Sequence, residues 1–194
     1  MALDDIGGDD SKGSNKWIGV YIGVLAVLLA ICSMGGGNAA KDASRANLDA
    51  SNLWAFFQAK NIRRTTFILA ADEMEALLKT QPGLTEEARK HVEGKIKLYR
   101  DTAARYKTEP KSKEGLDELF VRAKALEVER DTAMRKDPYF DWSQALLQIA
   151  IVLASVAIIS GSGVLLFVSG TLGVVGSLLM LNGFLLLVKV PLLG

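Results

Sequence analysis

No charged side chain occurs between Asp141 and Lys189, although the rest of the chain carries 23 Lys/Arg and 22 Asp/Glu. Helices and strands of a water-soluble domain need a polar face, so an uncharged run of this length has few folded solutions. About 20 apolar residues cross a bilayer as a helix, and residues 142–188 suffice for two crossings. The run divides at Ser160-Gly161-Ser162-Gly163, a turn-forming stretch. Crossings are expected over residues 142–160 and 164–188. Tyr139, Phe140 and Trp142 precede the first of them as an interfacial aromatic belt.

A third apolar stretch runs from Trp17 to Met34. A secretory signal is the competing explanation, since Lys12 and Lys16 precede it. The stretch is long for a signal, however, and Gly35-Gly36-Gly37-Asn38 is a poor cleavage site. A retained transmembrane helix over residues 17–35 is therefore expected, with a hinge at Gly35–Gly37. Residues 1–16 are rich in Gly, Asp and Ser and read as a disordered tail.

The formal balance of +1 hides a segregation of charge, because residues 38–141 hold 20 of the 23 basic and 18 of the 22 acidic groups. Mixed signs at helical spacing mark solvated helix faces, and no one-signed patch points to nucleic acid. Asn38 to Thr80 contains neither Gly nor Pro and reads as one long helix, ended by Pro82-Gly83. Thr85 is an N-cap candidate ahead of Glu86 and Glu87. Val92, Ile96, Tyr99, Ala103 and Tyr106 make the apolar seam of the next helix, which Pro110 breaks. A further helix carries Leu116, Leu119, Ala123, Leu126 and Ala133, interrupted by Arg130, and Pro138 marks its boundary.

At about 1.5 Å per residue the first insert helix reaches roughly 65 Å, and the two that follow sum to roughly the same. A return leg kinked near Pro110 then brings the chain back to the bilayer. The expected fold is an all-α membrane protein: three transmembrane helices, with a long antiparallel, coiled-coil-like hairpin at residues 38–137 between the first and second. A two-helix hairpin buries little apolar surface, which favours self-association.

Chemistry-bearing motifs are few. Cys32 and His91 are single residues of their type, which excludes an intrachain disulfide and a Cys-based zinc site. No phosphate loop, ligand cluster or nucleophile–base arrangement occurs, so neither an enzyme nor a cofactor is expected. The most distinctive stretch runs from Asn52 to Arg64. Trp54, Phe57, Gln58, Lys60, Asn61, Arg63 and Arg64 combine aromatic and cationic groups as binding hot spots do. The other reading packs these aromatics against the return leg, with Gln58 and Asn61 as register-setting amides. Both stay open.

In the apolar segments, Gly19 and Gly23 form one small-residue ridge, and Ser169, Gly173 and Ser177 form another. Gln148, Ser155 and Asn182 are the polar members. Ion-coupled transport normally uses a buried ionisable residue, which these segments lack. A pore lined by Gln148 or Asn182 remains the alternative to a scaffold.

The stretch Asn-x-Trp-Ala-Phe-Phe-Gln-Ala-Lys-Asn-Ile-Arg resembles the signature of a bacterial membrane-protein family catalogued as domain of unknown function 4337. The segment from Ala145 to Ile159 is similar to that family's second crossing. Leu53, where a polar residue is expected, and the uncharged turn at Ser160–Gly163 depart from its pattern. The resemblance covers the chain from about Trp17 onward. It implies a multi-pass bacterial membrane protein of the same layout with no assigned activity. The residues themselves give the inner membrane as the expected place, and the bilayer, a second copy or a larger membrane complex as the expected partners. The basic residues Lys41, Arg45, Arg130, Arg135 and Lys136 outnumber Lys12 and Lys16 and favour a cytoplasmic insert. That rule weakens for inserts beyond about 60 residues, so the side stays open.

Overall fold

The computed structural model describes residues 8–81 and 83–191, with side chains from Lys16 onward. These residues form four helices and no strand: α1 (Gly8–Thr80), α2 (Glu86–Lys107), α3 (Leu116–Ser160) and α4 (Gly163–Leu185). Three of them, α1, α3 and α4, are long and apolar enough to cross a membrane. Only 17%, 28% and 22% of the residues in their apolar windows are buried within the protein, so most of these apolar side chains point outward. The chain divides into two compact units, one of Met1–Ala43 with Asp131–Gly194 and the other of Ser44–Arg130.

In the first unit, α1, α3 and α4 pack through seams that alternate three- and four-residue steps. Leu25, Cys32 and Ala39 of α1 meet Phe140, Leu147 and Ala150 of α3 and Met180 of α4 in one core. The seam of α4 is Ser169, Gly173, Gly176, Met180 and Gly183, nearly all small. Small side chains let helix backbones approach closely where no water is present to drive apolar association. A Cβ on Gly173 would sit 3.0 Å from both Leu25 and the Tyr21 hydroxyl.

The second unit holds the charged helices. Thr85 caps α2 by accepting from the Ala88 amide at 3.3 Å, with Glu86 and Glu87 in the first turn. The seam of α2 is half-buried at Val92, Ile96, Tyr99 and Tyr106 and fully buried at Ala103. In α3, Leu116, Leu119 and Ala123 are buried. The segment between α2 and α3 turns through Lys113 at φ 58° and a buried Gly115.

Four boundaries differ from the sequence expectation. Helix α1 already begins at Gly8, while residues 1–7 of the expected tail lie outside the described residues. Gly35–Gly37 is no hinge but part of α1, because Gly35 and Gly36 are buried against Phe140 and packing holds them helical. Pro138 is no boundary and lies inside α3. Proline forfeits one backbone hydrogen bond, a loss that the buried neighbours Tyr139 and Phe140 offset by fixing the next turn. Helix α4 stops at Leu185, short of the expected Val188, since Leu186 turns left-handed at φ 49°. Helix α1 does end beside the expected breaker, but Pro82 itself lies outside the described residues.

Candidate interaction surfaces

The Asn52–Arg64 stretch lies wholly within α1, whose turns sort its side chains into an inner and an outer set. Trp54 and Phe57 are half-buried. The Trp54 ring meets Phe57 edge-on at 5.5 Å and Phe120 of α3 edge-on at 5.6 Å, the favoured arrangement for aromatic quadrupoles. Its indole N–H donates to the Glu127 carboxylate at 2.8 Å. Lys124 donates to the other oxygen of Glu127 at 2.7 Å and lies 5.7 Å from the Trp54 ring centre. The Lys124 hydrogen bond first, and the Trp54 N–H second, hold the Glu127 carboxyl below the usual carboxylate range.

One turn further on, Lys60 is only 7% exposed. A buried ammonium needs several partners to offset its desolvation. Lys60 donates to the Glu114 backbone carbonyl and lies 3.8 Å from the Glu109 carboxylate. It also sits 5.7 Å from the Phe56 ring centre and 5.5 Å from that of Tyr106, within cation–π range. Above it, Phe67 packs on Tyr99 and Tyr106 at 5.6 and 5.8 Å. Arg100 of α2 bridges Asp72 at 3.0 Å and Glu75 at 2.7 Å.

The expected patch is therefore divided. Trp54, Phe57 and Lys60 pack within this unit, and Arg64 is half-buried with its Nε unpartnered. Gln58, Asn61 and Arg63 are exposed. Gln58 and Asn61 are thus not buried register-setting amides. Tyr106, a seam residue in the sequence reading, completes the packing together with Phe120, Glu127 and Glu109, which were not singled out in the sequence. The signal for Lys60 was present: Leu53, Lys60, Phe67 and Met74 recur every seven residues, placing the cation in an otherwise apolar row.

Sequence reasoning also passed over an outer row of α1. Leu48, Ala55, Ile62 and Leu69 again recur every seven residues, and all four are exposed. Ser51, Asn52, Gln58, Ala59, Thr65 and Thr66 lie beside them, exposed as well. None of these ten residues, from Leu48 to Leu69, is charged.

In the apolar segments the two ridges behave differently. Gly19 and Gly23 are exposed, with nothing within 4 Å of an added Cβ. Ser169 is fully buried and donates to the Ala150 carbonyl at 2.7 Å. Its oxygen lies 3.1 Å from the Tyr21 hydroxyl, which is left to donate. Ser177 is half-buried and donates to the Gly173 carbonyl at 2.7 Å within its own helix. Gln148 and Ser155 are exposed, Ser155 donating back to Ile151. Ser143 is a buried contact the sequence did not flag, and it donates to the Gly176 carbonyl at 2.7 Å.

Asn182 has a local task. Its amide donates to the Val188 carbonyl at 2.8 Å and accepts from the Val188 N–H at 2.9 Å. Tyr139 of α3 donates to the same carbonyl at 3.2 Å and accepts from the Val190 N–H at 3.1 Å. Together they clamp the segment that follows α4.

The model of one protein family, described as Domain of unknown function (DUF4337), matches residues 14–186. No curated protein matches the chain, and no solved structure does.

Proposed function

The chain belongs to the domain of unknown function 4337 family, and from that premise we propose that it is a membrane-anchored, self-associating scaffold or accessory subunit. Helices α1, α3 and α4 would cross a bacterial plasma membrane, and residues 38–137 would form an antiparallel, coiled-coil-like hairpin for protein–protein contacts. The order of contacts within the charged unit supports the hairpin. Asn47 meets Arg130, Trp54 meets Glu127, Phe67 meets Tyr106 and Asp72 meets Arg100, so numbers rise on α1 as they fall on its partners.

The observation that carries self-association is the uncharged outer face of α1. Leu48, Ile62 and Leu69 are 63%, 66% and 57% exposed there. A partner that covers this face must itself be uncharged, or it buries an unpaired charge. A second copy of the same face meets that condition, and a strict seven-residue repeat lets two identical helices stay in register along a left-handed supercoil. Gln58, Asn61 and Arg63 surround Ile62 and supply the polar rim.

The alternative, an oligomeric pore, has less support. Asn182, one of its two expected lining groups, uses its amide to hold the segment after α4. Gln148 remains exposed and available to either reading.

Mass measurement in mild detergent tests the proposal. The protein is expected to run as a dimer or higher oligomer, and Ile62→Lys, which removes no internal contact, to shift it to monomer with unchanged helicity. A monomeric parent protein, or an oligomer indifferent to Ile62→Lys, would overturn the reading. A closed ring with Gln148 on a wet axis would favour the pore.

A further inference from the structure

Beyond Leu185 the chain does not trail away. Leu186 turns left-handed, a conformation that disfavours a residue with a side chain. Asn182 and Tyr139 hold the following residues in place through four hydrogen bonds to Val188 and Val190. The consequence is a fixed position for Lys189, the first charge after the apolar run. It lines a cavity of about 170 Å3 together with Arg135, Tyr139, Leu186 and Val188.

The chemistry of this cavity is one-sided. Arg135 and Lys189 are both exposed, and neither is in an ion pair among the described residues. The Arg135 guanidinium donates to the Thr132 hydroxyl at 3.5 Å. Among the described residues no carboxylate lines the cavity, and the Tyr139 hydroxyl is already engaged. Two cations lining one cavity suit an anion with several acceptor oxygens, which both can contact at once.

The place in the fold narrows the anion. The cavity sits where the apolar part of α3 begins and that of α4 has ended, beside Trp142 in sequence and with Leu187 76% exposed. Exposed apolar side chains next in sequence to a cation, Leu187 and Val188 before Lys189, match a molecule with a charged head and hydrocarbon tails. We infer that Arg135 and Lys189 form a site for the phosphate of an anionic phospholipid headgroup. The site rests on the membrane reading given above. It takes a phosphate ester, with guanidinium and ammonium sharing its oxygens and Leu187 lying along an acyl chain.

The test compares lipid retention by the full-length protein from bilayers of phosphatidylcholine doped with phosphatidylglycerol, read by native mass spectrometry. The parent protein is expected to retain phosphatidylglycerol in preference to phosphatidylcholine. Arg135→Gln and Lys189→Gln should each lower that preference about fivefold, and the double variant about twentyfold. Lys136→Gln, beside the site but outside its lining, should leave it unchanged. Equal retention of the two lipids, or a preference that survives in the double variant, overturns the inference. Displacement of the lipid by inorganic phosphate at constant ionic strength reassigns the site to a free anion and overturns the lipid assignment. A protein that never enters the bilayer refutes the membrane reading itself, which separates the two failures.

Discussion

Glu127 illustrates how one residue joins two interactions. Its carboxylate takes hydrogen bonds from Lys124 and from the Trp54 indole, and the second of these ties α3 to α1. Both depress its pKa in the folded state, Lys124 more strongly. The sign follows: the contribution to stability is full above the ordinary carboxylate range and disappears as pH falls through the depressed value. Thermal melting followed by circular dichroism should show the helices losing stability on acidification through that range. Glu127→Gln should flatten the acid limb and leave the neutral-pH helicity intact. An acid limb of unchanged steepness in Glu127→Gln would assign it to other carboxylates. Lys60 shows the complementary case, a cation whose burial is compensated by a carbonyl, a carboxylate and two aromatic faces. Its place on the apolar row was legible from the seven-residue spacing. Its partners were not, since Glu109 and Glu114 are distant in sequence and look like any other charges of a solvated helix.

Among the elements, α1 departs most from its sequence reading, and the reason is close packing. Gly35-Gly36-Gly37 reads as a hinge because glycine weakens an isolated helix by about 1 kcal/mol per residue. In the folded chain an added Cβ on Gly35 would lie 2.6 Å from the Phe140 ring and 2.7 Å from the Phe184 ring. Phe140 is 1% exposed and stacks edge-on against Phe184 at 4.9 Å, so it has little room to retreat. Gly35→Ala should therefore destabilise the packing of α1 on α3 and α4 by about 1–3 kcal/mol, despite its better helix propensity. Gly37→Ala, with nothing within 4 Å, should be neutral or slightly stabilising. Resistance to proteolysis in detergent reads the difference, and equal behaviour of the two variants would restore the hinge. The same logic explains Pro138, whose helix-breaking tendency loses to the burial of Tyr139 and Phe140 directly after it.

For the whole molecule, the three crossings proposed above would impose a parity on the chain. The N-terminus and the turn at Ser160–Gly163 should share one side of the membrane, and the charged helices and Lys189 the other. Single cysteines introduced at Gly161 and at Gly94 into a Cys32→Ala background should react with an impermeant maleimide from opposite sides. Labelling of both from one side would remove at least one crossing. The three apolar segments behind this parity were legible without coordinates, because charge exclusion over bilayer length is a property of composition along the chain. The helical nature of residues 38–80 and the seams of α2 and α3 were equally legible, since apolar periodicity and the positions of proline and glycine are local. What tertiary structure decided is which of those local signals prevail. Gly35 and Gly36 became packing surface and not a hinge, because Phe140 arrives from a distant part of the sequence. Asn182 became a clamp and not a lining group, because α4 stops early enough for its side chain to reach Val188. Trp54 turned inward because Phe120 and Glu127 stand opposite it. For Gly35, Gly36 and Trp54 the deciding partner lies far away in the chain, and periodicity alone carries no information about which distant residue will face a given side chain; for Asn182 it lies six residues on, and the end of α4 decides.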